Sequence, residues 1–257
     1  MNRIDKAFKK LRASGGKAFI PYIMAGDPDL DKTMEYVLML EKHGADIIEL
    51  GVPFSDPVAD GPTIQRAAER AIKSGVSLRN MLPFMTEMRK RSQVPIIFMT
   101  YYNPIIKYGE ESFVAEAAKV GVDGLIIPDL PPEEAESLIK KCRSYGINTI
   151  FLVAPTSTEE RMKIITSASR GFIYYVSMTG ITGSKLALEE QFRNHIGRLK
   201  EMTVRPVAVG FGVSSAEDAA KVAAFADGVI VGSAIVKKFH EDPGNAPDFI
   251  NKLREAI

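Results

Sequence analysis

Three carboxylates, Glu49, Asp56 and Asp60, lie at a strand end and in the loop after it within the stretch 45–65, which reads Ala-Asp-Ile-Ile-Glu-Leu-Gly-Val-Pro-Phe-Ser-Asp-Pro-Val-Ala-Asp-Gly-Pro-Thr-Ile-Gln. The stretch starts as a strand and leaves it at Glu49. It continues through a loop punctuated by Gly51, Pro53, Pro57, Gly61 and Pro62. Proline fixes φ and glycine permits positive φ, so this composition specifies one loop path. Strand alternation puts Ile47 and Glu49 on one face and Ile48 and Leu50 on the other. An inward Glu49 with apolar neighbours would hold its proton near neutral pH, because burial disfavours the charged form. Asp60, in a polar loop, would stay ionised. Two carboxyl groups whose environments push their pKa values apart form an acid/base pair. Each residue also has a plainer explanation. Glu49 alone is equally a strand-end glutamate paired with a lysine or arginine. Asp60 alone is better read as an Asx-turn or an N-cap before Pro62, and Asp56 before Pro57 more so.

A second group of residues suits an anion. Glycine-bearing turns fall at Gly180-Ile181-Thr182-Gly183, Gly210-Phe211-Gly212 and Gly232-Ser233, after the last three predicted strands. Glycine lets backbone N–H groups approach a phosphate, and a short helix over Ala234–Lys238 would add its N-terminus. No lysine or arginine adjoins Gly212 or Gly232, so such a site relies on backbone dipoles. Tyr22, Tyr101, Tyr174 and Phe211 fall at or near strand ends and could line an aromatic slot, although any one of them also reads as interior packing.

The elements that must position these groups repeat regularly. A short amphipathic helix is expected from the Ile4, Phe8, Leu11 spacing. Strands are expected at Ala18–Met24, Ile47–Leu50, Val94–Met99, Asp123–Ile127, Asn148–Val153, Phe172–Val176, Pro206–Val209 and Gly228–Val231. Helices should start at Asp27-Pro28 and then lie near Thr63–Ser74, Leu78–Arg91 and Gly109–Val120. One opens at Pro131, others follow capping boxes at Thr156–Glu159 and Ser214–Glu217, and two more lie near Leu186–Lys200 and Pro247–Ala256. Continuous apolar strands alternating with helices imply a parallel sheet buried on both faces. About eight such units in ~250 residues is the size of a single-domain (β/α)8 TIM barrel, whose chemistry sits at the C-terminal ends of its strands. A doubly wound open sheet fits less well, because no G-x-G-x-x-G turn follows the first strand. No linker or composition shift interrupts residues 1–257, which are read as one domain.

Composition removes several classes of function. With 257 residues, 46% hydrophobic and net charge +1, the chain has core material and no field suited to nucleic acid or a membrane surface. The single cysteine, Cys142, excludes an intrachain disulfide and reads as a core residue. His43, His195 and His240 are too far apart for a ligand set, so no metal site is expected. No apolar signal core or membrane span is visible, and a cytoplasmic protein is expected.

Taken together, Leu50-Gly51-Val52-Pro53-Phe54-Ser55-Asp56-Pro57, Ala59-Asp60-Gly61-Pro62-Thr63-Ile64-Gln65, Pro128-Asp129-Leu130-Pro131, Ser177 through Gly183, and Gly210-Phe211-Gly212 closely resemble the tryptophan synthase alpha subunit family over essentially the whole chain. The resemblance implies a (β/α)8 barrel that cleaves indole-3-glycerol phosphate to indole and glyceraldehyde 3-phosphate. It puts the catalytic glutamate on Glu49, the catalytic aspartate on Asp60 and the active-site tyrosine on Tyr174. Thr182, in a mobile loop from Met178 to about Leu188, would meet Asp60 on closure. Phosphate-binding backbone groups fall on Gly183, Gly212, Gly232 and Ser233, and indole-lining positions on Tyr22, Ile64, Tyr101 and Phe211. Met178 stands where some members carry a basic residue, and the Tyr101-Tyr102 pair where some carry one tyrosine. The resemblance further implies no cofactor in this chain. Its partner would be a pyridoxal phosphate-dependent beta subunit in an α2β2 heterotetramer that receives the indole. Pro53, Phe54 and Asp56 are expected at that docking face, with Phe54 at an exposed turn. Two other functions fit parts of the pattern: a sugar-phosphate isomerase or other phosphate-binding barrel of tryptophan biosynthesis, and a non-catalytic regulatory barrel subunit.

Overall fold

The computed structural model describes residues 1–176, 185–210 and 212–257, with backbone only for 185–189 and 191. The strands are β1 (Ala18–Met24), β2 (Ile48–Gly51), β3 (Ile96–Met99), β4 (Gly124–Ile126), β5 (Asn148–Ile150), β6 (Leu152–Val153), β7 (Ile173–Val176), β8 (Val207–Gly210) and β9 (Gly228–Val231). The helices are α1 (Arg3–Ser14), α2 (Leu30–Lys42), α3 (Pro62–Lys73), α4 (Leu78–Arg89), α5 (Tyr102–Tyr108), α6 (Glu110–Lys119), α7 (Glu136–Tyr145), α8 (Glu159–Ala168), α9 (Lys185–Glu201), α10 (Ala216–Ala223), α11 (Ser233–Glu241) and α12 (Ala246–Ala256).

Every strand pairing is parallel, in the order β5-β4-β3-β2-β1-β9-β8-β7-β6. The fifth expected strand is interrupted at Phe151, so β5 and β6 are two halves of one strand. β5 pairs with β4 and β6 with β7. The two ends of the order are therefore joined by the chain itself, and the sheet curls into a (β/α)8 barrel.

Alternation along the strands divides the core into two shells. Phe19, Ile23, Ile48, Leu50, Phe98 and Val209 belong to the large cluster that packs the strands against the helices. Ile20, Ile47, Ile97, Ile126, Ile150, Phe172 and Ile230 form the inner cluster together with Ile4, Phe8 and Leu11 of α1. Helix α1 closes the N-terminal end of the barrel: the Asn2 side-chain amide donates to the carbonyls of Asp123 and Gly146 at 2.7 and 2.9 Å, just before β4 and β5. With that end filled by apolar side chains, the C-terminal ends of the strands are left to carry polar groups.

Several helix starts differ from expectation. Helix α2 begins at Leu30 and is capped by Asp29, whose side chain accepts from Lys32 N at 2.7 Å. Asp27 is occupied otherwise, by a two-point ion pair with Arg70 at 2.7 Å for each contact, and its bond to Pro28 is cis. Pro131 opens a turn, with Glu134 N donating to its carbonyl, and α7 starts only at Glu136. Thr158 caps α8 in place of Thr156, and Ser215 caps α10 in place of Ser214. Helix α5 had no periodic apolar signal. Its start is fixed from a distance, by Asp129, which accepts from Tyr102 N at 3.0 Å.

Candidate active site

Glu49 is 1% exposed, one of few charged residues buried in the interior. Strand β2 delivers it two residues above Ile47, on the inner face. Neither carboxyl oxygen has a hydrogen-bond partner among the described residues. Burial, reinforced by the charge of Asp60, pushes its pKa up to about 8. A buried carboxylate left unpaired is costly, so the group is protonated at neutral pH.

Two phenols stand in the mouth with it. Tyr22 is the register partner of Glu49 on β1. Its ring leans over Gly51, where a Cβ would lie 2.1 Å from the phenol oxygen. Tyr174 on β7 leans over Gly210 on β8 in the same way, with a Cβ there 2.5 Å from its phenol oxygen. The sequence gives glycine at both positions because the tyrosine of the neighbouring strand fills the space a side chain would need. Both phenols have raised pKa values, first from burial and then from the acids. Asp60 acts more strongly than Glu49 on Tyr22, and Glu49 more strongly than Asp60 on Tyr174.

Asp60 hangs over this mouth from the β2–α3 loop. The Tyr101 hydroxyl donates to Asp60 Oδ2 at 3.1 Å and accepts from Ala59 N at 3.0 Å. Asp60 N donates to Pro57 O, and the Gln65 side chain donates to Asp60 O at 2.9 Å. Partial burial raises the Asp60 pKa and the Tyr101 hydrogen bond lowers it. The net effect is upward, with burial outweighing the hydrogen bond, but Asp60 is half-buried with a donor fixed on its oxygen, whereas Glu49 is fully buried with none. Tyr102 faces elsewhere, with its hydroxyl 2.7 Å from a Glu110 oxygen. Of the tyrosine pair, Tyr101 alone reaches the site.

The expectation for Phe54 needs correction. It is half-buried, with its ring 5.2 Å from that of Tyr101, and Pro53 is buried. The exposed apolar residue of this loop is Val58, at 82%. The acid it accompanies, Asp56, is exposed and accepts from the Ser55 hydroxyl at 2.5 Å. Ile64 packs on the cluster formed by Tyr22, Met24, Ala67, Ala68, Ala71 and Val236, which brings it to the aromatic side of the mouth.

On the opposite side, the short helix expected at Ala234–Lys238 is longer, running as α11 from Ser233 to Glu241. Gly232 is its N-cap, without a side-chain cap, so first-turn N–H groups remain for a ligand. Gly232 lies against Tyr22, since a Cβ there would be 3.6 Å from Tyr22 Cβ. Gly212 has φ +30°. Thr182, Gly183 and Phe211 lie outside the described residues. The arrangement therefore combines one neutral carboxylic acid, a second carboxyl group held by a tyrosine, an aromatic wall and a helix start without a side-chain cap.

The other candidate groups have structural roles. Burial raises the Cys142 thiol to about 12, which keeps it from being a nucleophile at neutral pH. His43 contacts Asn251, and His195 contacts the Tyr175 hydroxyl. Among the described residues no cluster of His, Cys, Asp and Glu could hold a metal, and no helix is long and apolar enough to cross a membrane. Sequence reasoning did not find the Tyr101–Asp60 hydrogen bond or the seats at Gly51 and Gly210. The available signal was spacing: Gly51 follows Glu49 by two residues, and Gly210 follows Ala208 by two, on the inner faces of their strands.

A family model described as tryptophan synthase alpha chain matches residues 8–256. The chain belongs to the tryptophan synthase alpha chain family. The alpha chain of Prochlorococcus marinus subsp. pastoris is 48% identical over 254 residues, covering 98% of this chain and 90% of the relative. That of Geobacter sulfurreducens is 47% identical over 262 residues, covering 100% and 99%. Among solved structures, the Legionella pneumophila tryptophan synthase subunit alpha superposes with a TM-score of 0.92 at 41% identity, covering 100% of this chain and 98% of that one. A chain of M. tuberculosis tryptophan synthase, in an open form, superposes with a TM-score of 0.91 at 37% identity, covering 100% and 99%. Membership in this alpha chain family assigns the chain a lyase role in tryptophan synthesis.

Proposed function

We propose that the chain cleaves indole-3-glycerol phosphate to indole and glyceraldehyde 3-phosphate, with Glu49 as the acid and base and Asp60 as the charge stabiliser. The observation that carries this reading is the buried, unpartnered Glu49 carboxyl group facing Asp60. In the first step the protonated Glu49 gives its proton to indole C3. The positive charge that develops is shared with the ring nitrogen, where an ionised Asp60 stabilises it. In the second step the Glu49 carboxylate takes the proton of the hydroxyl on the adjacent side-chain carbon. The bond from that carbon to C3 breaks, its electron pair returns to the ring, the hydroxyl carbon becomes the aldehyde, and Glu49 is protonated again.

Tyr22, Ile64, Tyr101, Tyr174 and Phe211 would enclose the ring. The phosphate would bind to backbone N–H groups at Gly183, Gly212, Gly232 and Ser233, and this remote binding energy would orient the scissile bond. Thr182 would meet Asp60 when its loop closes. The indole would pass to a beta subunit carrying pyridoxal phosphate in an α2β2 assembly, with Pro53, Phe54 and Asp56 in the segment that meets it. The test is release of indole from indole-3-glycerol phosphate, with and without a matched beta subunit. Turnover that rises with the partner supports the reading, and absence of turnover under both conditions refutes it. A purely regulatory barrel has no use for a partnerless buried acid, so no observation favours that alternative.

A further inference from the structure

Glu110, the first residue of α6, is a carboxylate whose side chain is only 14% exposed and which the proposed reaction does not use. It gathers three donors from two other helices. The Tyr102 hydroxyl of α5 donates to Oε2 at 2.7 Å. The Ser137 hydroxyl and the Lys141 ammonium of α7 donate to Oε1 at 2.7 and 2.5 Å. One carboxylate thus ties the first residue of α5 to α7. The hydrogen bond to Glu110, and then burial, push the Tyr102 phenol up to about 12, so its hydroxyl stays a donor. Tyr102 in turn is bonded to the residue that touches Asp60. Its N–H belongs to the peptide leaving Tyr101, and both oxygens of Asp129 accept from it, at 3.0 and 3.2 Å. That backbone contact is open to solvent, where water competes for the N–H, whereas the contact between Tyr102 and Glu110 is partly buried and therefore stronger.

We propose that Glu110 is a positioning residue for Asp60: by holding the Tyr102 hydroxyl beside α7 it fixes the start of α5, and so the point from which the Tyr101 hydroxyl reaches the Asp60 carboxylate. The contacts run unbroken from Lys141 and Ser137 to Glu110, to Tyr102, through one peptide bond to Tyr101, and from its hydroxyl to Asp60 Oδ2 at 3.1 Å. That last distance is already at the long end for an O–H donor, so a small displacement of Tyr101 would lose it. The same displacement would release Ala59 N, which donates to the Tyr101 hydroxyl at 3.0 Å. The inference rests on the charge-stabilising role proposed for Asp60, but its first test does not depend on turnover.

The experiment is a carbon-13 carboxyl NMR titration of Asp60 in the full chain, with the resonance assigned by its loss in Asp60→Asn. The Tyr101 hydrogen bond lowers the Asp60 pKa, so weakening it must raise that pKa. Glu110→Ala should therefore move the Asp60 titration to higher pH, in the same direction as Tyr101→Phe and by less. Tyr102→Phe removes one hydroxyl, leaves the pair of Glu110 with Lys141, and should act in the same way. Glu110→Gln, which can still accept from Tyr102, should restore most of the wild-type titration. In turnover, Glu110→Ala should lower kcat/KM about three- to tenfold, mainly through kcat, and the loss should disappear in a Tyr101→Phe background, because residues acting through one contact are not additive. An Asp60 titration unchanged in either Glu110→Ala or Tyr102→Phe overturns the proposal. So does a loss in kcat/KM of the same size with and without the Tyr101 hydroxyl, which would make Glu110 a structural ion pair only. If Asp60 shifts while wild type releases no indole, the proposed reaction fails and the link from Glu110 to Asp60 stands.

Discussion

The Tyr101 hydroxyl donates to Asp60 Oδ2 across 3.1 Å, which ties the end of β3 to the loop after β2. The same oxygen accepts from Ala59 N, so one phenol orients both the carboxylate and the backbone beside it. Tyr101→Phe should lower kcat/KM by about ten- to a hundredfold, the range for losing a hydrogen bond to a charged group. The ring contact with Phe54 would survive, so folding should be little affected. Steady-state kinetics together with a melting curve check this, and a variant with wild-type kinetics would show the hydrogen bond to be incidental.

Glu49 should make stability fall with rising pH. Its pKa is about 8 in the folded chain against 4.5 for the free group. Between those values the folded state binds more protons than the unfolded state, so the stabilising contribution is complete below pH 4.5 and is lost as pH rises through 8. Glu49→Gln removes this term. The variant should be more stable than wild type at pH 9, by up to about 5 kcal/mol, with the difference much reduced near pH 4. Urea denaturation at the two pH values measures it. Equal stabilities at pH 9 would contradict a protonated Glu49.

Asp60→Asn should be severely impaired even though the side chains are nearly isosteric. A neutral amide can still take the Tyr101 hydrogen bond but cannot balance a cationic ring nitrogen. Near-normal turnover by the variant would leave Asp60 as a turn former only.

Gly232 offers a clean test of the phosphate site. A Cβ there makes only ordinary contact with Tyr22, at 3.6 Å, so Gly232→Ala should fold normally. The methyl group would stand at the N-terminus of α11, where the phosphate is expected. KM for indole-3-glycerol phosphate should rise severalfold, and glycerol 3-phosphate should inhibit correspondingly less well. Unchanged inhibition would move the phosphate elsewhere.

Asp56 is exposed, next to the protruding Val58. Asp56→Ala should reduce activation by a beta subunit more than it reduces the turnover of the isolated chain. A partner that shifts the chain toward its closed state does so by its differential affinity for that state, and a ligand whose binding the partner strengthens must tighten the partner in turn. Titrating wild type and variant with beta subunit decides it. Equal stimulation removes Asp56 from the coupling.

The barrel was legible in the sequence because its strands are continuous apolar runs and its helices are amphipathic. Glu49 was legible because alternation from Ile47 fixes its face. What could not be read depends on contacts between segments far apart in the chain. Asp29 caps α2 because Asp27 is drawn to Arg70, 43 positions away. Tyr101, rather than Tyr102, turns toward Asp60 because Asp129 and Glu110 hold Tyr102. Phe54 reads as exposed from its proline-rich setting, yet it lies on Tyr101, beyond the end of the next strand. Gly51 and Gly210 look like ordinary turn glycines until the tyrosine of the adjacent strand is placed above each of them.

The most direct test is the steady-state rate of indole release from indole-3-glycerol phosphate by wild type and Glu49→Gln, each saturated with beta subunit. If one buried acid both gives and takes the proton, the variant should lose at least about 10²–10⁴-fold in kcat while still binding glycerol 3-phosphate. Turnover by Glu49→Gln within a few fold of wild type would contradict the assignment.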